Sequence, residues 1–384
     1  MKVVVAPDKF RGSLPAAQAA RAIALGVVNA LPGAVVDSVP MADGGEGTVD
    51  ALVAATGGHL LSAEVTGPLG DPVRATFGML GDGRTAVIEM AAASGLALVP
   101  RHQRDPSRTT TRGTGELLLA ALAAGARRVI LGIGGSATND GGAGFGQALG
   151  FALLDREGRP VPPGGAGLAR LDRIDATGLD PTLAGVDVVV ACDVENPLCG
   201  PRGASTVYGP QKGADREMIA ALDRNLGRFA EVVARDLGTA IRDLPGAGAA
   251  GGLGGGLVAF VSGRLEPGVD LVMRSVNLAD RLTGADLCLT GEGAIDASSA
   301  FGKTAVGVAR LARSLGCPTL ALAGTLGPGA GDVLNEGVDA MFSLCPGPMT
   351  LDAAVGRAEE LLARVAEQVV RCFLAGRLSA ARKG

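Results

Sequence analysis

Short apolar runs that lead through a turn into a helical pattern are the feature that most limits the fold of this chain. They lie near both ends, at residues 2–6, 34–39, 286–290, 318–323 and 339–344. Strands that alternate with helices in this way usually pair in parallel and are covered by helices. The runs therefore predict a flavodoxin-like parallel sheet, with its ligand crevice at the carboxyl ends of the strands.

The middle of the chain has a different pattern. Between about Leu60 and Met90, short alternating segments are separated by turns rich in glycine and proline, which is typical of antiparallel strands. A chain of 384 residues is also long for a single core. We predict an α/β protein of two domains. Residues 1–60 and 280–384 form a flavodoxin-like domain, and residues 61–279 form an inserted α/β domain with a mixed sheet.

Several helix boundaries follow from local signals. Ser13 is expected to be the N-cap of a helix from about Pro15 to Ala30, and Thr114 to cap a helix that ends near Ala124. The last helix is expected to span 351–373.

Composition excludes several kinds of partner. The net charge is −4, Trp is absent and there is no basic block, so we expect no nucleic-acid partner. No apolar run is long enough to span a membrane, and charge comes too early for a signal peptide, so we expect a cytoplasmic protein. The 6 cysteines form no CxxC pair and there are 2 histidines, which argues against a zinc site. A general base is then expected to be a carboxylate or a lysine, and a metal to be a hard ion such as Mg²⁺.

A glycine-rich loop follows the apolar run 129–133. It combines glycines with short polar side chains: Gly134, Gly135, Ser136, Thr138, Asn139, Asp140, Gly141 and Gly142. Glycine lets backbone amides approach a ligand closely, and the side chains add donors, acceptors and a carboxylate. The loop is predicted to hold a phosphate group, with packing of a strand-to-helix turn as the structural alternative.

Charged residues follow the other apolar runs. Asp8 and Lys9 come after the first run, Asp43 and Glu46 flank a glycine pair after the second, and Asp193 follows a fully apolar run. At the carboxyl ends of strands, such residues are placed to meet a ligand. The structural alternatives are an exposed ion pair for the first two and helix capping for the second two.

One stretch is similar to a Walker A loop. In Ala297–Thr304 the first glycine of that motif is replaced by alanine, and Gly291–Asp296 separate the stretch from its strand. A true P-loop leaves its strand directly. We therefore keep only Lys303, which follows Gly302 at a helix start, as a candidate phosphate contact.

A second stretch is similar to the dinucleotide-binding fingerprint. Gly132, Gly134 and Ala137 match its GxGxxA form, and Asp155 stands where a ribose-binding acid is expected. An NAD-dependent dehydrogenase is therefore the alternative enzyme.

Eight short motifs in a fixed order connect the chain to a known family. They are Ala6–Ser13, Ala42–Thr48, Gly113–Glu116, Gly132–Gly142, Cys192–Leu198, Gly209–Gly213, Gly246–Gly252 and Thr290–Gly293. With them the chain resembles the bacterial-type (type I) glycerate kinases over nearly its whole length. It departs from the family at Ser298-Ser299, where members usually carry Gln-Thr.

This resemblance implies Mg²⁺-dependent transfer of the γ-phosphoryl group of ATP to D-glycerate, at a site between the two domains. We expect 2-phosphoglycerate as the product rather than 3-phosphoglycerate. The expected partners are these small molecules, in a monomer or homodimer. A non-catalytic protein that binds a small acid between two lobes is a further alternative, but an anion binder gains nothing from carboxylates at its strand ends.

Candidate roles follow from this chemistry. Asp193 is our first candidate for the proton acceptor and Asp296 the second, with Lys9 as a further catalytic residue. Asp43 and Glu46 are candidates for binding Mg²⁺ or its waters. The candidate glycerate-binding residues are Asp8, Lys9, Arg11, Ser13 and Asn196. The candidate nucleotide-binding residues are Gly134, Gly135, Ser136, Asn139, Asp140, Lys212, Glu292 and Lys303.

Overall fold

The structure is a computed structural model that describes residues 1–301 and 303–381. Its strands are β1 (Lys2–Pro7), β2 (Val35–Ser38), β3 (His59–Thr66), β4 (Pro72–Met79), β5 (Thr85–Glu89), β6 (Arg128–Gly132), β7 (Ala152–Leu154), β8 (Arg173–Asp175), β9 (Asp187–Ala191), β10 (Arg264–Glu266), β11 (Leu287–Ile295), β12 (Thr319–Leu326) and β13 (Ala340–Ser343). Its α-helices are α1 (Ala16–Ala30), α2 (Thr48–Thr56), α3 (Ala91–Ser94), α4 (Arg112–Ala123), α5 (Ala143–Ala148), α6 (Ala204–Tyr208), α7 (Arg216–Leu237), α8 (Leu253–Val261), α9 (Gly268–Ser275), α10 (Leu278–Leu282), α11 (Thr304–Ser314), α12 (Leu351–Gly356) and α13 (Ala358–Ala381).

The chain divides into two compact units. The first holds Met1–Asp43, Asp50–Gly57 and the described residues from Val269 onward, and the second holds Gly44–Val49 and Gly58–Gly268.

The first unit contains a five-stranded sheet in the order β2-β1-β11-β12-β13, and every pair in it is parallel. Numbered by their sequence within the unit, the strands run 2-1-3-4-5, which is the flavodoxin order. The centre of the sheet is apolar because β1 contributes Val3, Val4 and Val5, which are fully buried. Helices α1 and α13 pack closely, and a Cβ on Gly26 would lie 2.3 Å from the carbonyl oxygen of Ala363.

The second unit contains a six-stranded mixed sheet in the order β10-β9-β6-β5-β4-β3. Strands β3, β4 and β5 pair antiparallel, whereas β5, β6, β9 and β10 pair in parallel. Strands β7 and β8 form a separate antiparallel pair. The predicted α/β class, with one parallel and one mixed sheet, is confirmed.

Two predicted helix caps and the bounds of the closing helix are wrong. The Ser13 hydroxyl donates to the carbonyl of Phe10, and Pro15 rather than Ser13 precedes α1. Thr111 precedes α4, while the Thr114 hydroxyl lies inside that helix, 2.9 Å from the hydroxyl of Ser94. The closing helix is two helices, α12 and α13, separated at Arg357. No helix among the described residues is long and apolar enough to cross a membrane.

Candidate active site

In the first unit, three neighbouring strands deliver charged residues to one edge of the sheet. Asp8 and Lys9 follow β1, Asp43 follows β2, and Glu292 lies on β11 just past the point where Pro7 pairs with Gly291. In a sheet of this strand order, the crevice lies where neighbouring connections diverge, between β1 and β11. The sequence therefore placed these residues at the edge where such folds bind ligands.

Asp8 is held firmly at this edge. It is 6% exposed, and it accepts hydrogen bonds from the Thr304 hydroxyl at 2.6 Å and the Lys9 amide at 2.6 Å. The Lys9 ammonium lies 3.8 Å from Asp8 and 3.5 Å from Asp43, so one cation bridges two carboxylates. Burial raises the pKa of Asp8, and the Lys9 cation and the Thr304 hydroxyl oppose that shift. The expected ion pair of Asp8 and Lys9 is thus present, but Asp8 is buried rather than exposed.

Glu292 is a half-buried carboxyl group at this edge. Burial raises its pKa to about 7, the nearby Lys303 cation opposes the shift, and the Asp8 charge reinforces it. Its Oε1 is buried without a hydrogen-bond partner. A carboxyl group in such a state can donate as well as accept a hydrogen bond near neutral pH.

Asp296 and Lys303 form a more exposed pair beside it. The Lys303 ammonium lies 3.7 Å from Asp296 and 3.3 Å from the Ser299 hydroxyl. Hydrogen bonds from the side chain and amide of Ser298 lower the pKa of Asp296, so it is a weak base. Gly302, the glycine of the Walker-like stretch, lies outside the described residues.

In the second unit, two loops leave the carboxyl ends of adjacent parallel strands. Residues 133–142 follow β6, and residues 192–198 follow β9. A third segment, 246–252, joins them: the Gly248 amide donates to the carbonyl of Asn196, and the Gly141 amide donates to that of Gly251. A Cβ on Gly251 would lie 1.9 Å from the Thr138 carbonyl oxygen. Glycine is therefore needed for the segments to approach this closely.

Asp140 organises the glycine loop from inside. Its carboxylate is fully buried and accepts from the amide and hydroxyl of Thr111, both at 2.9 Å, and from the amides of Gly142 and Gly144. Burial raises the pKa of Asp140, and these hydrogen bonds oppose the shift. The carboxylate thus stabilises both the loop and the start of α5.

Lys212 lies in the same buried network. Its ammonium donates to the Ser136 hydroxyl at 2.6 Å and to the Thr138 carbonyl at 2.7 Å. Burial lowers the pKa of Lys212 to about 7, and the Asp140 charge opposes that shift. The sequence suggested this lysine only by its position in a tight loop, and the residues that it contacts are distant in sequence.

Two polar atoms of the loop are buried without a partner among the described residues. They are the Thr138 hydroxyl and the Asn139 side-chain nitrogen. The Asn139 side-chain oxygen accepts from the Ser205 hydroxyl at 3.2 Å. These atoms make the interior of the loop polar.

The 192–198 loop holds two predicted site residues. Asp193 is exposed, and its Oδ1 accepts from the Gly268 amide at 2.8 Å. The Asn196 side chain donates to the carbonyl of Arg202 and accepts from the Tyr208 hydroxyl at 2.7 Å. The loop is therefore fixed by its own side chains.

The remaining predicted residues are less enclosed. Arg11 and Glu46 are exposed, and Ser13 is half-buried. No group of three or more His, Cys, Asp or Glu side chains that could hold a metal is found among residues 1–301 and 303–381. The oxygen-only donors at the edge of the first unit suit a hard ion held by one or two carboxylates and by substrate phosphates, which is how Mg²⁺ usually binds.

The dinucleotide-binding alternative is not supported by the local geometry. Helix α5 begins at Ala143, far from the end of β6. The Asp155 carboxylate is buried and accepts from Arg159 and Arg170, and its backbone contact to Arg159 contributes most to a pKa lowered to about 2. Asp155 therefore stabilises its own turn.

Comparison with known proteins agrees with the motifs. The sequence profile of the Glycerate kinase family matches residues 3–374. The chain belongs to the glycerate kinase family. It is 52% identical over 369 residues to a glycerate kinase of Bacillus subtilis (strain 168), covering 96% of this chain and 97% of that protein. It is 49% identical over 376 residues to a protein named Glycerate 2-kinase of Escherichia coli (strain K12), covering 98% and 99%.

A solved structure agrees as well. The crystal structure of a proposed glycerate kinase 2 from Salmonella typhimurium LT2 superimposes with a TM-score of 0.91 at 48% identity, covering 98% of this chain and 99% of that one. As a member of the glycerate kinase family, the protein is an enzyme that phosphorylates glycerate, and the predicted enzyme class is confirmed.

Three residues that the sequence did not single out hold predicted site residues in place. Thr304 binds Asp8, Thr111 binds Asp140, and Ser205 binds Asn139. A signal for Thr111 existed, since it ends a run of three threonines before a helix. Nothing in the local sequence links Thr304 to Asp8, which lies 296 positions away.

Proposed function

We propose that this glycerate kinase transfers the γ-phosphoryl group of ATP to the 2-hydroxyl of D-glycerate and releases 2-phosphoglycerate. The choice of the 2-hydroxyl rests on the 49% identity, over nearly the full length, to the relative named Glycerate 2-kinase. ATP as the co-substrate follows from the kinase family. Phosphoryl transfer needs mainly alignment of the reactants and compensation of their charge. Both the glycine loop and the charged residues at the carboxyl ends of β1, β2 and β11 are suited to this.

The glycine loop is the proposed holder of the nucleotide phosphates. The loop backbone lies close to Gly251 of the 246–252 segment. Hydrogen bonds of the buried side chains of Asp140 and Lys212 hold the loop in its conformation. Ser136 is 7% exposed and is the polar side chain of this loop that we assign to the ligand. Lys303 and a protonated Glu292 are the proposed phosphate contacts of the first unit.

Lys9 is the proposed partner of the glycerate carboxylate, with Arg11 as the second cation. The Lys9 side chain is 25% exposed, so its ammonium is reachable while Asp8 and Asp43 hold it in position. Two carboxylates around one lysine leave this edge acidic, and a bound anion is favoured only if a cation accompanies it.

Mg²⁺ is the proposed cation. Asp43 and Glu46 are the residues that would hold it or its waters, and when bound it neutralises charge on the phosphate oxygens. The protein's own contribution is to place carboxylate oxygens beside the Lys9 ammonium.

Asp193 is the proposed acceptor of the proton from the reacting hydroxyl. It is exposed at a strand end, and its contact with the Gly268 amide fixes its orientation. Asp296 is the second choice, because the hydrogen bonds from Ser298 lower its pKa and so its basicity.

Release of ADP tests the proposal. The purified protein with ATP, Mg²⁺ and D-glycerate is expected to form ADP in a coupled assay, at a rate that depends on glycerate. The control acceptors are L-glycerate and lactate, which keeps the 2-hydroxyl of glycerate but lacks the 3-hydroxyl. The proposal would be overturned if the rate of ADP formation did not depend on D-glycerate, or if the protein reduced NAD⁺ with glycerate instead of forming ADP.

A further inference from the structure

Lys212 is enclosed by the chain to an extent that is rare for a lysine. It is 1% exposed, and it is among the largest fully buried side chains of the protein. An ammonium group has three N–H donors, and two of them reach the Ser136 hydroxyl and the Thr138 carbonyl. A buried cation is tolerated only when it is hydrogen-bonded or paired in this way.

The position of these two acceptors gives the lysine a structural effect on the loop. Ser136 and Thr138 are two residues apart, so a single ammonium group ties a side chain to the main chain across the turn. On the same loop, Asp140 binds the amides of Gly142 and Gly144 and the amide and hydroxyl of Thr111. A buried cation and a buried anion thus hold successive parts of one loop.

We propose that Lys212 is a positioning residue: it does not touch the nucleotide but sets the conformation of residues 136–138, so that Ser136 and the loop amides meet the phosphates. This inference rests on the proposed function of the loop. It differs from the expectation that Lys212 binds phosphate directly, because a lysine that is 1% exposed offers almost no surface to a ligand.

The two roles differ in the ligand-free protein. A positioning lysine holds the loop before any nucleotide arrives, whereas a direct phosphate contact matters only after binding. Hydrogen–deuterium exchange of the Ala137 and Gly141 amides, which donate to the carbonyls of Ser94 and Gly251, reports the state of the loop without substrate.

The experiment compares Lys212→Met, Ser136→Ala and the double variant with the wild type. Lys2→Met is the matched control, because the Lys2 ammonium donates to the Thr283 carbonyl in the other unit. We expect exchange in the loop to rise about tenfold or more in Lys212→Met, since a hydrogen bond from a charged donor is lost, and to be unchanged in the control.

Kinetics give the second readout. KM for ATP is expected to rise in Lys212→Met and in Ser136→Ala while KM for glycerate stays the same, and the double variant is expected to be no worse than Lys212→Met. Such non-additivity shows that two residues act through one contact. If Lys212→Met does not fold, loop exchange in ligand-free Ser136→Ala still decides, because that variant removes one acceptor of the ammonium group and leaves the lysine in place. Exchange is expected to rise in it, and unchanged exchange would overturn the positioning role.

The opposite result is equally definite. Unchanged loop exchange in the variants, together with additive increases in KM for ATP, would overturn the positioning role and favour direct phosphate contact. The exchange measurement needs no substrate. A wild type that forms no ADP with glycerate would therefore contradict the proposed function, while the exchange data would still show whether Lys212 holds the loop.

Discussion

At the scale of single residues, the choice of proton acceptor depends on how each carboxylate is held. Hydrogen bonds from Ser298 lower the pKa of Asp296, whereas Asp193 is oriented by the Gly268 amide at the end of a buried strand. A carboxylate whose pKa is lowered is a weaker base. The lowered pKa is the physical reason for placing Asp296 second.

Replacing Asp193 by Asn tests that choice. The Asn carbonyl can still accept from the Gly268 amide, so the variant removes the charge and keeps the contact. We expect kcat to fall at least about a hundredfold with little change in either KM, as is typical for loss of a general base. Asp223→Asn is the matched control, since Asp223 also accepts from a backbone amide, that of Gly200. Steady-state kinetics with full activity in Asp193→Asn would remove Asp193 from the role.

The raised pKa of Glu292 predicts that the stability of the protein depends on pH. This pKa is about 7 in the folded protein, so the folded state binds this proton more tightly than the unfolded state. The stability that this contributes is complete below the unfolded pKa and is lost as pH rises through 7. Glu292→Gln, which stays neutral, is therefore expected to gain roughly 1 to 3 kcal/mol over the wild type at pH 8, and less at pH 5.

Urea unfolding at the two pH values measures this difference. Glu359→Gln, an exposed carboxylate on α13 of the same unit, controls for the loss of one charge. A difference between Glu292→Gln and the wild type that is the same at pH 5 and pH 8 would contradict the buried, proton-binding state of Glu292.

At the scale of the elements, the close approach of two loops depends on glycine at one position. Gly251 has a φ of +69°, and a Cβ there would lie 1.9 Å from the Thr138 carbonyl oxygen. That oxygen is also an acceptor of Lys212. Any displacement of it therefore affects the conformation of the glycine loop.

Gly251→Ala is expected to be far more damaging than Gly185→Ala. Gly185 has a similar φ of +76° but no atom within 4 Å of the place that a methyl group would take, so it isolates the backbone strain, about 1–2 kcal/mol for an alanine. The clash at Gly251 is expected to add at least about 2 kcal/mol and to raise KM for ATP. Urea unfolding of both variants measures the difference, and equal losses of stability would argue against close packing of these loops.

The elements also show what a sequence predicts well. The ends of β1, β6 and β9 follow from apolar runs, because a buried strand usually stops where polar residues begin. Strand β11 was expected to end at residue 290, but it continues to Ile295 because its backbone stays paired with β12 as far as Leu326. Helix caps were predicted less well. Ser13 uses its hydroxyl within a turn rather than as a cap, since that hydroxyl finds the Phe10 carbonyl nearby.

At the scale of the whole molecule, the sequence predicted both sheets but not the buried polar contacts. Strand pairing in an α/β chain follows from the order of its elements, and the 2-1-3-4-5 order needed only five apolar runs. The bond between Lys212 and Ser136 joins residues 76 positions apart, and no local pattern encodes such a pair. The strands and their order were therefore easier to predict than the side chains that hold the candidate site together.

All the proposed residue roles depend on transfer of a phosphoryl group to the 2-hydroxyl of D-glycerate. The most direct measurement is ³¹P NMR of the product formed from ATP, Mg²⁺ and D-glycerate, with coupling to the carbon-bound protons. We predict a phosphomonoester coupled to the single proton of C2. A product coupled to the two protons of C3, or no phosphoglycerate at all, would contradict it.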